Sequence, residues 1–206
     1  MVRAGFRNFG WMLGALFCAC ALVAAQPPPP LLAHLIESGQ IAVAGRSVPY
    51  LIRHLPVSSF PGLPAAVADL LTRRGCLIPQ TYEAHGPENV IHASLERPGS
   101  ADWAVLCSVQ GEVSLLVFFA GDAAQPQVLA SALETARLQA HDPSGVLGFN
   151  WGIDAASPQH IREVQMGMAH RPPRLDHDDL ADSVIDYGTV YHFFTRKAWT
   201  LLDVPD

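Results

Sequence analysis

The sequence predicts an α+β domain: an antiparallel sheet made of a three-stranded meander plus a C-terminal hairpin unit, packed with short helices. Three observations carry that prediction. Runs rich in Val, Leu and aromatics at residues 90–96, 102–109 and 113–119 are separated by Pro98-Gly99-Ser100 and Gln110-Gly111, both good turn chemistry. Apolar residues recur at helical spacing over residues 64–74 and again over 126–140. Strands and helices mix without regular βαβ alternation.

In chain order, residues 1–25 read as a signal peptide. Arg3 and Arg7 precede an apolar run over residues 9–25 that ends in Val23-Ala24-Ala25, and cleavage there leaves Gln26 first. The run is 17 residues long, at the lower limit for a span, and prolines follow at once, so no transmembrane segment is expected in the mature chain. The expected location is periplasmic or secreted. Leu16-Phe17-Cys18-Ala19-Cys20 also resembles a loose lipobox, which makes a lipid anchor through Cys20 the alternative. Residues 26–30 are a stiff Pro-rich spacer, and residues 31–206 are expected to form one α+β domain.

Within that domain, residues 31–37 read as two turns of helix stopped near Gly39. Residues 41–55 read as two extended pieces broken at Gly45-Arg46, with Pro49 confining the second to a sheet edge or barring it from a strand. The helix over 64–74 has Leu63, Val67, Leu70 and Leu71 on one face, Pro64 in its first turn and Gly75 past its end. The run over 113–119 hardly alternates, so it should be a central strand covered on both faces. Val128, Leu129, Ala132, Leu133 and Ala136 then suggest a helix over 126–140. A short strand is expected over 148–153, and Ser157-Pro158 caps a short helix reaching Gln165. Residues 171–174 read as a loop, and the C-terminal strands fall near 184–186, 189–194 and 199–203.

Half of the 206 residues are apolar and 16% are charged, enough to fill a core. The net charge is −6, becoming −8 without the leader, and the bases are twelve Arg and the single Lys197. No basic face is implied, which argues against nucleic acid as the main partner. Two cysteines outlast the leader, Cys76 and Cys107, and an oxidising compartment allows a disulfide between them. Two buried free thiols are the alternative. Neither cysteine sits in a catalytic motif.

Two resemblances are visible. Ala101-Asp102-Trp103-Ala104-Val105 and Ala181-Asp182-Ser183-Val184-Ile185 each follow a polar loop and lead into a hairpin. The pattern resembles single blades of calcium-binding FG-GAP propeller repeats, in which an acidic loop leads into a strand. The first loop lacks the acids, Asp179 stands where that family has Gly, and two copies do not close a propeller. The resemblance therefore implies a repeated strand-and-hairpin unit. A wider pattern, Gly75-Cys76-Leu77-Ile78-Pro79-Gln80, Pro87-Glu88-Asn89-Val90-Ile91-His92 and Asp102-Trp103-Ala104-Val105-Leu106-Cys107, resembles a set of exported bacterial proteins of unknown function. It spans roughly residues 48–120, implies export and one shared domain, and transfers no catalytic residue.

The candidate metal ligands are Asp176, His177, Asp178, Asp179 and Asp182. Four carboxylates in seven residues repel one another unless solvated or sharing a cation, and hard oxygen ligands on a loop suit Ca²⁺. The EF-hand Gly and Glu are missing. The alternative is a solvated acidic loop with Asp179 or Asp182 in turn or cap contacts. His160, His170, His177 and His192 lie in the same third of the chain, yet no H-E-x-x-H or i, i+4 pair points to zinc. No G-x-S-x-G, G-x-G-x-x-G or P-loop occurs. Tyr82, His85, Glu88 and Asn89 form a candidate binding loop, with an ordinary connection held by Pro79 and Pro87 as the alternative.

These features favour a non-enzymatic binding or interaction module of the cell envelope, its partner an envelope protein or a small ligand. The alternative is a metal-dependent hydrolase, with Ca or Zn held by the acidic loop over 176–182. The sequence leaves open whether the chain is an enzyme.

Overall fold

The computed structural model describes residues 35–168 and 174–202. The chain divides into Met1–Pro30 and Leu31–Asp206, and the structure below is that of the second unit. The leader, the Pro-rich spacer, Cys20, His170 and most of the 171–174 loop lie outside the described residues.

The fold is mostly β, which corrects the helix-packed α+β expectation: thirteen strands and only two α-helices occur among the described residues. β1 (Ile36–Val43) and β2 (Arg46–Pro56) form a hairpin in register from Ile36↔Arg53 to Val43↔Arg46. Its two-residue turn has positive φ at Ala44 and Gly45, the geometry whose twist matches the strands. Ile36 and Glu37, expected in a helix, are therefore strand residues. Their backbone finds partners on β2, which a two-turn helix could not supply. Pro49 lies inside β2 and does not confine it to an edge. It forgoes one donor, while β2 pairs with β1, with β3 (Leu77–Gln80) and, in parallel, with β9 (Leu147–Phe149).

α1 (Ala65–Arg73) forms where its spacing predicts. Gly75, at φ +71°, lets the chain turn back, so that Gly75 N–H bonds Thr72 O and Cys76 N–H bonds Leu71 O. That is the paired closure of a Schellman motif, and it delivers Cys76 straight into β3. The meander is also present: β4 (Val90–Ala93), β5 (Asp102–Val109) and β6 (Glu112–Phe118) pair antiparallel in succession.

The predicted helix over 126–140 is instead β7 (Gln127–Leu133), a 3₁₀ turn over Glu134–Ala136, and β8 (Leu138–Ala140). The apolar edge of β6 is buried and its backbone needs a ladder, which β7 provides from Glu112↔Leu133 to Val117↔Gln127. The apolar spacing fits a helix and a strand alike. The strand leaves Val128 and Leu133 about 60% exposed and packs Leu129, Ala130 and Ala132 against the core.

A second sheet has the order β10 (Trp151–Ala156), β11 (Asp179–Val184), β12 (Gly188–Thr195) and β13 (Ala198–Leu201), all antiparallel. The two faces of the first sheet are covered differently. Ile52, Leu106, Leu115 and Val117 pack against Trp151, Ile153 and Leu180 of the second sheet. Val105, Leu116 and Phe118 pack against Val67 and Leu71 of α1, with the Cys76–Cys107 disulfide among them. β6 is thus covered on both faces, as its sequence predicts. Helix α2 (Pro158–Val164), whose N–H at His160 bonds the Ser157 hydroxyl, covers the far side of the second sheet through Ile161, Ala181 and Tyr191.

Candidate functional site

The acidic segment is not a loop that gathers its carboxylates. β11 begins at Asp179, and successive side chains on a strand point to opposite faces. Leu180 and Asp182 face the first sheet, while Asp179 and Ala181 face α2. Asp182 accepts from the Trp151 indole at 2.6 Å and sits 3.3 Å from His192 Nε2. Asp178 accepts from the Ser94 N–H at 3.0 Å. Asp176 is exposed and lies 2.6 Å from His177 Nδ1, while His177 Nε2 meets Phe194 O at 2.9 Å. Both nitrogens of His177 are therefore engaged. Asp179 is fully buried with neither carboxylate oxygen partnered, and burial, helped by the negative Asp178 beside it, pushes its pKa up to about 8. The five residues read as a Ca²⁺ loop face different partners, and the structure does not bring them together around one point.

The 80–89 loop divides its roles. Gln80 and Glu88 exchange two hydrogen bonds, at 3.1 and 3.0 Å, and Glu88 also takes the Thr81 N–H at 2.6 Å. Asn89, buried at φ +67°, donates to Pro79 O and Trp151 O and accepts from Ile153 N–H. Glu88 and Asn89 thus fasten the loop and join the two sheets. His85 is exposed. Tyr82 lines a cleft of about 300 Å³, together with Arg53, Thr81, His141, Asp142 and Ser144.

In that cleft Tyr82 stacks on His141, ring centroids 4.6 Å apart and planes within 7°. Its hydroxyl donates to Asp186 at 2.5 Å, and burial together with that carboxylate raises the phenol well above its ordinary pKa. The Arg53 guanidinium donates through Nη2 to Thr81 O and Ala84 O, at 3.3 and 2.8 Å. Its other N–H groups are not used in these bonds. No local sequence signal joins Arg53 and His141 to this cleft, because they lie 29 residues before and 59 residues after Tyr82.

A third cluster also had no sequence signal. Glu37, His54 and Glu134 place their ligand atoms within 4.8 Å of one another. They are the one group of this kind among the described residues. His54 Nε2 meets Glu134 Oε1 at 2.7 Å, and Tyr50 donates to Glu37 at 3.0 Å. Burial works against the charge of Glu134, but His54 and the neighbouring Ser108 hydroxyl outweigh it and hold the carboxyl below its ordinary pKa.

No described helix is long and apolar enough to cross a membrane. No protein-family model, curated protein or solved structure matches the chain.

Proposed function

We propose that the chain is a non-enzymatic binding module of the cell envelope, exported by its leader, and that its ligand enters the cleft at Tyr82. The observation that carries this reading is the cleft itself: a stacked Tyr82–His141 wall with Arg53 and Asp142 on its rim. A rigid aromatic wall beside charges of both signs suits a small zwitterion, such as an amino acid or short peptide. The Arg53 N–H groups outside those two bonds would take the carboxylate. The Cys76–Cys107 disulfide supports export, since such bonds persist in oxidising compartments. The hydrolase reading needs Asp176 to Asp182 to converge, and each of those carboxylates faces elsewhere.

Saturation-transfer NMR with free amino acids and di- and tripeptides at millimolar concentration tests the proposal. Transfer to one class of probe, lost in both Arg53→Ala and Tyr82→Ala, is the expected result. Absence of transfer to every probe, or transfer that survives both substitutions, overturns it.

A further inference from the structure

Glu37 and His54 share a face of the first sheet with the buried Ile52, and no residue of the Glu37–His54–Glu134 cluster belongs to the acidic segment read from the sequence. Its three residues come from β1, from β2 and from the 3₁₀ turn that follows β7. The chain holds each of them in place. Glu134 is anchored by its own N–H to Gly111 O at 2.9 Å. His54 stands on the same face of β2 as the buried Ile52, and is itself 4% exposed. Tyr50 pairs opposite Gly39, where a Cβ would come within 2.8 Å of its ring; the ring lies over the bare glycine and its hydroxyl reaches Glu37.

Two features of the cluster are incomplete as an ion pair. Glu134 is 1% exposed, and no hydrogen bond of normal geometry reaches its second oxygen, Oε2, although the Ser108 hydroxyl stands close to the carboxyl; His54 Nδ1 is likewise buried and unpartnered. A buried carboxylate oxygen without a donor is costly, and natural structures seldom keep one unless something else occupies it. Two carboxylates stand beside one imidazole, with Glu134 and His54 both buried. A divalent cation would neutralise both carboxylates with the histidine neutral, and would occupy the orphaned oxygen.

We infer that Glu37, His54 and Glu134 form a site for a divalent transition-metal ion of the zinc class, with Tyr50 orienting Glu37. The donor set decides the metal. One imidazole nitrogen with two carboxylate oxygens is a three-ligand zinc set with an open fourth position, whereas Ca²⁺ and Mg²⁺ prefer oxygen throughout. Zinc holds such ligands at about 2.0–2.2 Å, which sets them about 3.3–3.6 Å from one another, so binding parts the 2.7 Å His54–Glu134 contact and draws Glu37 in. Glu37, half-buried on the hairpin, is the least enclosed of the three and makes the larger movement. The Tyr50 hydroxyl then serves as the outer partner that ligating carboxylates normally have. The bound ion ties the β1–β2 hairpin to the turn between β7 and β8.

The test uses the whole chain with its disulfide intact, stripped with EDTA and titrated with Zn²⁺. Zinc should raise the melting midpoint by several degrees at large excess over its dissociation constant. Co²⁺ in its place should give the visible absorption of a low-coordinate nitrogen–oxygen site. Glu37→Gln, a substitution on a half-exposed strand, should melt close to the parent without metal and bind Zn²⁺ at least tenfold more weakly. Glu134→Gln should bind no metal, and if it does not fold, the Glu37→Gln comparison stands alone. The assignment is overturned if zinc leaves the parent midpoint unchanged, or if Glu37→Gln binds zinc as tightly as the parent, which would place the ion on other histidines.

Discussion

Gly148 and Tyr82 approach so closely that a Cβ on the glycine would stand 2.6 Å from the Cβ of Tyr82, and 3.1 Å from the His141 ring. The absence of a side chain at 148 is what allows the Tyr82–His141 stack to lie over β9. Gly148→Ala should therefore cost about 1–3 kcal/mol, the usual range for overpacking. It should also part the two rings. Urea unfolding measures the first, and the His141 ring shifts in NMR report the second. An unchanged midpoint with an unchanged ring environment would refute the close approach.

Asp179 makes stability depend on pH, and the sign follows from its burial. Its pKa moves from the ordinary 3.8 to about 8 in the folded chain, because burial and then Asp178 disfavour the charge. Between those values the folded state holds a proton that the unfolded state has lost. Stability therefore falls as pH rises through that window, by up to ~1.4 kcal/mol per pH unit from this group. It levels off above the folded pKa. Tyr191, pushed upward by burial and then by Asp179, stays neutral throughout. Asp179→Asn should flatten the slope and leave the variant more stable than the parent at pH 8, as urea midpoints at pH 5 and pH 8 would show.

Asn89 ties the two sheets together. Its side chain holds Pro79 O at 2.7 Å, Trp151 O at 3.2 Å and the Ile153 N–H at 3.1 Å, all buried. Asn89→Ala strands those three groups and places alanine at a positive φ that asparagine tolerates better. A loss of about 2–5 kcal/mol in denaturant unfolding is expected. A residue that served only ligand contact would show almost none.

The elements legible in the sequence are those whose signals are local. Pro64 and Gly75 bracket α1, Ser157-Pro158 opens α2, and Gln110-Gly111 turns β5 into β6 within a few residues of each strand. What the sequence hides depends on distant partners. Residues 128–136 satisfy helix and strand spacing equally, and only the unpaired edge of β6 decides between them. Asp179 to Asp182 look like a loop because aspartate is poor in strands, yet β10 and β12 on either side draw them into a sheet. Once they are in a strand, alternation separates the very carboxylates whose crowding suggested a cation. The His54–Glu134 pair spans 80 positions with no motif, and the helix expected around Glu134 hid it further.

The Cys76–Cys107 disulfide secures the weakest junction of the first sheet. β3 meets β5 through a single register pair, Leu77↔Ser108, directly beside the two cysteines. Their separation of 31 residues closes a loop worth about 3–4 kcal/mol in the unfolded chain. Both cysteines are only 4% exposed, under α1, so a reductant reaches them only when that region opens. The oxidised protein should therefore resist dithiothreitol under native conditions and be reduced quickly in intermediate urea. Once reduced, or as the Cys76→Ala/Cys107→Ala double variant, it should unfold at lower urea by roughly that free energy. Equal midpoints for the oxidised and reduced chains would mean that the Leu77↔Ser108 pair and the packing of α1 hold the junction unaided.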